Sequence, residues 1–172
     1  MLRKFGIIAV LSLLVTALAA VPALAQSGHF ITGGGNAPVV SAPNEDSPNL
    51  DISGRVAGLG GTTFEIFATA DATADYACQN RGGEFPNDPQ KQSVSAIVDD
   101  STGVQETPRN GSARFSLSLE PPESTLTCPG GQVVVLTAIT YSDVTVFLEE
   151  DGIESDRLSL GEFSFTYFED VP

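Results

Sequence analysis

The chain has no tryptophan, one histidine, one methionine and two cysteines, and its eight lysines and arginines stand against 22 aspartates and glutamates for a net charge of −14. Each scarcity removes a class of chemistry. The only histidine, His29, stands in a Gly- and Pro-rich stretch near the start of the chain, so Ser–His and Cys–His nucleophilic catalysis lack their base. Glycoside hydrolysis needs a desolvated acid in a cleft with sugar-stacking aromatics. With no tryptophan and with acids spread throughout, any chosen pair of carboxylates is arbitrary. Cations scattered between carboxylates do not form the clustered Lys and Arg footprint that phosphate backbones require. The expectation is no enzyme, no cofactor and no nucleic-acid partner.

Long apolar runs are absent too, except at the very beginning. "MLRKFGIIAVLSLLVTALAAVPALAQ" opens with Arg3 and Lys4, continues through an apolar stretch from Phe5 to Ala20 and closes on Ala23-Leu24-Ala25. This pattern reads as a secretory signal peptide, residues 1–25, cut after Ala25 so that the mature chain begins at Gln26. A retained span would want roughly 20 apolar residues, and Pro22 interrupts this one. No run beyond Gln26 approaches that length, and the ending "SFTYFEDVP" has neither a hydrophobic tail nor a basic stop. The expected product is secreted and extracellular, with no membrane insertion after cleavage; an envelope component could still hold it noncovalently. Cleavage removes two cations and no acid, and the resulting acidity reads as solubility outside the cell. In that compartment Cys78 and Cys128 pair by default, and closing a loop of this length stabilises by about 4 kcal/mol in the chain-entropy model. Two cysteines far apart in sequence, neither accompanied by histidine, do not make a metal set.

What the sequence does contain is alternation. Residues 26–48, "QSGHFITGGGNAPVVSAPNEDSP", show no sustained period and read as a flexible leader in which only "HFI" and "PVV" could dock as short edge strands. From Leu50 the pattern changes. Leu50, Ile52 and Val56 share one parity. Phe64, Ile66, Ala68, Ala70, Ala72, Ala74, Tyr76 and Cys78 then occupy even positions, with Glu65, Thr69, Asp71, Thr73 and Asp75 between them. Period two over such a run is a half-buried strand, straight or bent once; a helix would spread the aspartates around its whole circumference. Val94, Ala96 and Val98 follow, then Ala113, Phe115, Leu117 and Leu119. "VVVLTAI" is apolar on both faces and so central, and after it come "VTVFLE", the turn Asp151-Gly152, "IESDRLSL" and "FSFTYF". The fold class expected is all-β, an antiparallel immunoglobulin-like β-sandwich of about seven or eight strands over residues 49–172, with one disulfide.

Strands running alternately up and down put the loop after Cys78 at one pole and return "EPPESTLTCPGG", with Cys128, to the same pole, as a disulfide requires. The same count places the hairpin Glu149 to Gly152 at that pole. The loop Gln79 to Gln92 and the segment Glu120 to Gln132 thus become the expected contact surface, since binding is disproportionately carried by loops on rigid scaffolds. Its candidate binding residues are Arg81, Phe85 and Lys91. Phe85 reads as a plug folded under the loop rather than an outward anchor, and the two cations as members of local ion pairs with Glu84 and Asp88. Calcium takes oxygen ligands, but neither Glu149 to Gly152 nor Asp71 to Asp75 has the ordered spacing of a calcium loop, so no metal is expected. "NGS" at Asn110 is a formal glycosylation sequon.

The ordered set "SGHFI", "VAGLG", "ATADATADYACQNRGG", "NGS", "PP", "TCPGGQ" and "YSDV" resembles a group of small exported, two-cysteine, β-rich proteins without an assigned activity. Where Glu84 stands, similar sequences often have Asn, and this chain is more acidic beyond Tyr141. The resemblance implies a secreted module with a disulfide and nothing enzymatic. The functional expectation is a binding or surface-interaction module for an extracellular or cell-surface ligand. Its alternative is a structural, envelope-associated protein held through the leader, residues 26–48.

Overall fold

The computed structural model describes residues 28–172; the expected signal peptide and its cut lie outside the described residues. The elements in order are β1 (His29–Phe30), a short 3-10 turn (Gly34–Asn36), β2 (Val39–Ser41), β3 (Leu50–Ala57), β4 (Thr63–Asn80), β5 (Lys91–Ser101), β6 (Gln105–Glu106), β7 (Ser112–Leu119), β8 (Gln132–Glu150) and β9 (Ile153–Thr166). No α-helix occurs among the described residues. Every pairing is antiparallel. In one sheet β3 is central, with β7 along one edge and β1 and β2 sharing the other. The second sheet runs β5-β4-β8-β9, with β6 extending the β5 side of β4.

The two sheets pack face to face because each has one apolar parity. Leu50, Ile52 and Val56 of β3 and Phe115, Leu117 and Leu119 of β7 meet the even positions Phe64 to Ala74 of β4. Ile139, Tyr141, Val144, Val146 and Leu148 of β8 complete the core. Full burial of a large aliphatic or aromatic side chain is worth about 1.5–3 kcal/mol, so this parity is the main source of cohesion. The run of alanines in β4 supplies the flat strip against which the larger side chains of β3 and β7 fit. "HFI" and "PVV" are the short strands β1 and β2, and Phe30 lies in the same core cluster.

One sequence expectation is overturned. "VVVLTAI" and "VTVFLE" are not two strands with a reversal between them. They are one strand of 19 residues, β8, which passes through an irregularity between Tyr141 and Val144, where Asp143 has φ 52°. An inserted residue switches the inward parity from odd to even without turning the chain: Ile139 and Tyr141 face the core before it, Val144, Val146 and Leu148 after it. The strand therefore ends at the far pole, and the hairpin Glu149 to Gly152 lies opposite the cysteines rather than beside them, with Glu150 paired to Phe64 and Gln132 to Asn80. Its two-residue turn, Asp151 (φ 50°) and Gly152 (φ 78°), has the doubly positive geometry suited to a twisted hairpin. Likewise "IESDRLSL" and "FSFTYF" form one strand, β9, which continues through Gly161 (φ 95°).

Candidate binding pole

The pole at the end of β4 gathers the connection from β4 to β5, the segment from β7 to β8 and the C-terminal residues after β9. Cys78, fully buried, is bonded to Cys128 across a Cα–Cα distance of 5.6 Å. The first loop begins as a closed turn. Asn80 Oδ1 accepts hydrogen bonds from the backbone N–H groups of Gly82 (2.9 Å) and Glu84 (3.0 Å), and the Asn80 N–H donates to the Glu84 carbonyl. Gly83, at φ 84°, adopts a left-handed backbone that a side chain would strain. Gln79 Nε2 donates to its carbonyl. The loop closes where the Cys78 N–H donates to the Gln90 carbonyl at 2.9 Å.

The second loop is braced from β4 and β5. Tyr76 Oη donates to the Pro122 carbonyl at 2.6 Å. Gln92 uses both ends of its amide, accepting from the Ser124 hydroxyl and the Thr125 N–H and donating to the Thr125 hydroxyl. Burial, with Glu123 nearby, holds the Tyr76 phenol above its ordinary range, so it stays a donor.

The three candidate residues have separate fates. Phe85 packs edge-to-face on Phe168, ring centroids 5.1 Å apart. Lys91 Nζ donates to the Val171 carbonyl at 2.9 Å. Both thus converge on the C-terminal segment, which the sequence reading did not assign to this pole. Arg81 is exposed and makes no hydrogen bond or ion pair within the described residues; the local pairs with Glu84 and Asp88 are not formed, since among those residues the one ion pair joins Arg157 to Glu154. Beneath the C-terminal segment a cavity of about 360 Å³ is lined by Tyr76, Lys91, Gln92, Thr137, Phe168 and Val171, among others. Phe168 is the only aromatic on that wall with substantial exposure, 37%. The clue to this arrangement was the aromatic of "YFEDVP", one residue past the alternating run.

The carboxylates weighed as calcium ligands have other roles. Asp71 and Asp75 stand exposed on the outer face of β4. Glu150 and Asp151 accept hydrogen bonds from backbone amides of the β3–β4 connection. Among the described residues no group of three or more His, Cys, Asp or Glu is placed to hold a metal ion. Comparison with protein-family models, with curated proteins and with solved structures finds no match to this chain.

Proposed function

We propose that the chain is a secreted, non-enzymatic binding module, an immunoglobulin-like β-sandwich whose contact surface is the disulfide pole, Gln79 to Gln92 with Glu120 to Gln132. The observation that carries it is the bracing of both loops at one pole by a covalent bond, Cys78–Cys128, and by the Tyr76 and Gln92 hydrogen bonds. Loops held this way lose little further entropy on meeting a partner, which favours affinity. Extracellular placement is supported by that same disulfide, a bond characteristic of oxidising compartments.

The immunoglobulin-like reading rests on strand order. With β3 to β5 as strands B, C and C′ and β7 to β9 as E, F and G, the sheets read A-B-E, with β1 and β2 as a split A, and C′-C-F-G. That order matches the sandwich with C′ joined to the sheet of G, F and C. The disulfide departs from the antibody pattern, because it ties the end of C to the E–F connection instead of bridging B and F.

The test is capture of partners from culture surroundings by the mature chain and by a variant with residues 81–91 replaced by Gly-Ser. Partners held by the first and lost by the second support the proposal; equal capture sinks it. The leader reading draws support from Val39, 60% exposed on an edge strand. It predicts instead that Val39→Asn, and not the loop variant, weakens attachment to cells. Deleting residues 26–48 would not serve as that test, since it removes Phe30 from the core.

A further inference from the structure

The outer face of the first sheet places two arginines directly across from each other, Arg55 on β3 and Arg114 on β7. Side chains so paired start about 5 Å apart, and like charges there repel. Although the chain carries 22 acids, neither guanidinium belongs to an ion pair among the described residues. The only acid on β3, Asp51, lies four residues from Arg55, about 13 Å along the strand. It accepts a hydrogen bond from the Ser118 hydroxyl instead.

Arg55 is held in position: Nε donates to Ser112 Oγ at 2.8 Å, and that hydroxyl donates to the Val56 carbonyl at 2.8 Å. Its terminal nitrogens make no hydrogen bond within the described residues. Beside the pair lies a cavity of about 220 Å³ whose lining includes Asn36, Ser53, Arg55, Arg114, Gly54 and Phe115. A side chain at Gly54 would displace the Phe115 ring, since a Cβ there would come within 2.8 Å of Phe115 Cζ.

We propose that Arg55 and Arg114, with Ser53 and Asn36, form a binding site for a doubly charged tetrahedral oxyanion, a phosphate or sulfate group, either free or as the terminal ester of a larger molecule. Two guanidinium forks supply two positive charges and parallel N–H donors that match such oxygens. The hydroxyl and amide add neutral donors. A carboxylate carries one charge and saturates one fork. The net charge of −14 repels anions at long range, but at about 0.15 M ionic strength that field is screened beyond about 8 Å and the local pair governs. This site lies on the face of the other sheet from the cavity beneath the C-terminal segment, and stands or falls apart from the role of the disulfide pole.

The experiment is isothermal titration of the mature protein with inorganic phosphate, sulfate, glycerol phosphate and acetate at constant ionic strength. Saturable one-site binding of phosphate, sulfate or the ester is expected, with acetate at least about tenfold weaker. A preference for glycerol phosphate over the inorganic ions would assign the ester as the source. Arg55→Gln and Arg114→Gln should each weaken binding at least about tenfold, whereas Arg157→Gln, on the other sheet, leaves it unchanged. Arg114 is exposed, so its variant keeps the fold, checked by an unchanged melting curve in chloride. Heats no larger than those of chloride, or binding undiminished in both variants, overturn the proposal.

Discussion

Replacing Glu150 by glutamine tests whether a buried carboxylate closes the pole opposite the disulfide. Its side chain is wholly buried at the end of β8. Oε1 accepts from the N–H groups of Gly60 (2.7 Å) and Gly61 (3.0 Å), and Oε2 from that of Gly28 (2.9 Å). Glutamine is nearly isosteric, but its amide nitrogen must face N–H donors on one side. In the cheaper orientation the carbonyl keeps Gly60 and Gly61 and the bond from Gly28 is lost. A hydrogen bond to a charged group contributes about 1.5–3 kcal/mol, and a buried donor left unsatisfied costs about 1–3 kcal/mol. The two surviving bonds lose their charge assistance, roughly half their strength. The expected loss is about 3–5 kcal/mol from a total that for domains of this kind is about 5–15 kcal/mol. It would be read as a lower denaturant midpoint at unchanged slope. Gly28→Ala should act in the same direction, because a Cβ there would lie 2.5 Å from Oε2 and push the carboxylate away. The opposing effect is desolvation, which makes glutamine the cheaper group to bury. If the variant is as stable as the parent or more so, burial cost exceeds bonding and the clamp does not stabilise the fold.

Four further outcomes follow from the same geometry. Reduction of Cys78–Cys128, 50 residues apart, should lower stability by about 4 kcal/mol, measured as the guanidinium midpoint with and without reductant; an unchanged midpoint would mean the denatured chain gains no freedom from the cut. Tyr141→Phe removes the hydroxyl shared between the carbonyls of Leu119 (3.0 Å) and Pro48 (3.1 Å) and should cost about 1–2 kcal/mol, with a loss near zero showing that water replaces it. All three tyrosines are held above the ordinary phenol value of 10.0, chiefly by burial. A raised folded value means the folded state keeps protons the unfolded state releases, so stability is complete below pH 10 and falls as pH rises beyond it; alkaline melts that stay flat would contradict the burial of these phenols. Asp151 is held below 3.8 by the Thr63 and Thr62 N–H groups, so its contribution is present above that pH and declines as pH falls through its folded value; Asp151→Asn should flatten this acid limb of the stability curve.

The sequence made the sheets legible where parity is unbroken. Leu50, Ile52 and Val56, the even positions of β4 from Phe64 to Ala74, and Phe115, Leu117 and Leu119 are all inward as alternation requires, until a register shift at Asp75 and Tyr76 breaks the parity of β4. The common pole of the cysteines followed from the same count, and their pairing from there being only two in a chain expected to be exported. Alternation could not distinguish a turn from a bulge. "YSDV" has the composition of a turn, yet with Asp143 at positive φ it only shifts parity within β8. That one ambiguity misplaced the Asp151-Gly152 hairpin by the full length of a strand. At the disulfide pole the loop boundaries were legible, but the braces were not. Tyr76 reads as one more apolar position of β4 until its hydroxyl is seen to reach Pro122. Nothing in the spacing says that Phe85 and Lys91 meet Phe168 and Val171, some 80 residues on, because such contacts depend on where the last strand ends.

Acidity was the feature least understood from composition, and the structure gives part of it a structural role. Asp100 Oδ2 accepts the Ser118 N–H, joining β5 to β7, and Asp156 Oδ2 accepts the Phe30 N–H, joining β9 to β1. These contacts lie at the two lateral seams of the sandwich, where neither sheet can supply the other with strand hydrogen bonds. Glu150 and Asp151 do the same for the amides of the β3–β4 connection at the far pole. A carboxylate suits these places because it offers acceptors alone, and an orphan amide needs an acceptor. Carboxylate side chains thus accept backbone N–H groups at both seams and at one pole, while the remaining pole is held by the disulfide, by neutral side chains and by Lys91. Among the described residues the division leaves the loop-rich pole with no carboxylate committed to its bracing, and Arg81, Glu84 and Asp88 stand exposed there.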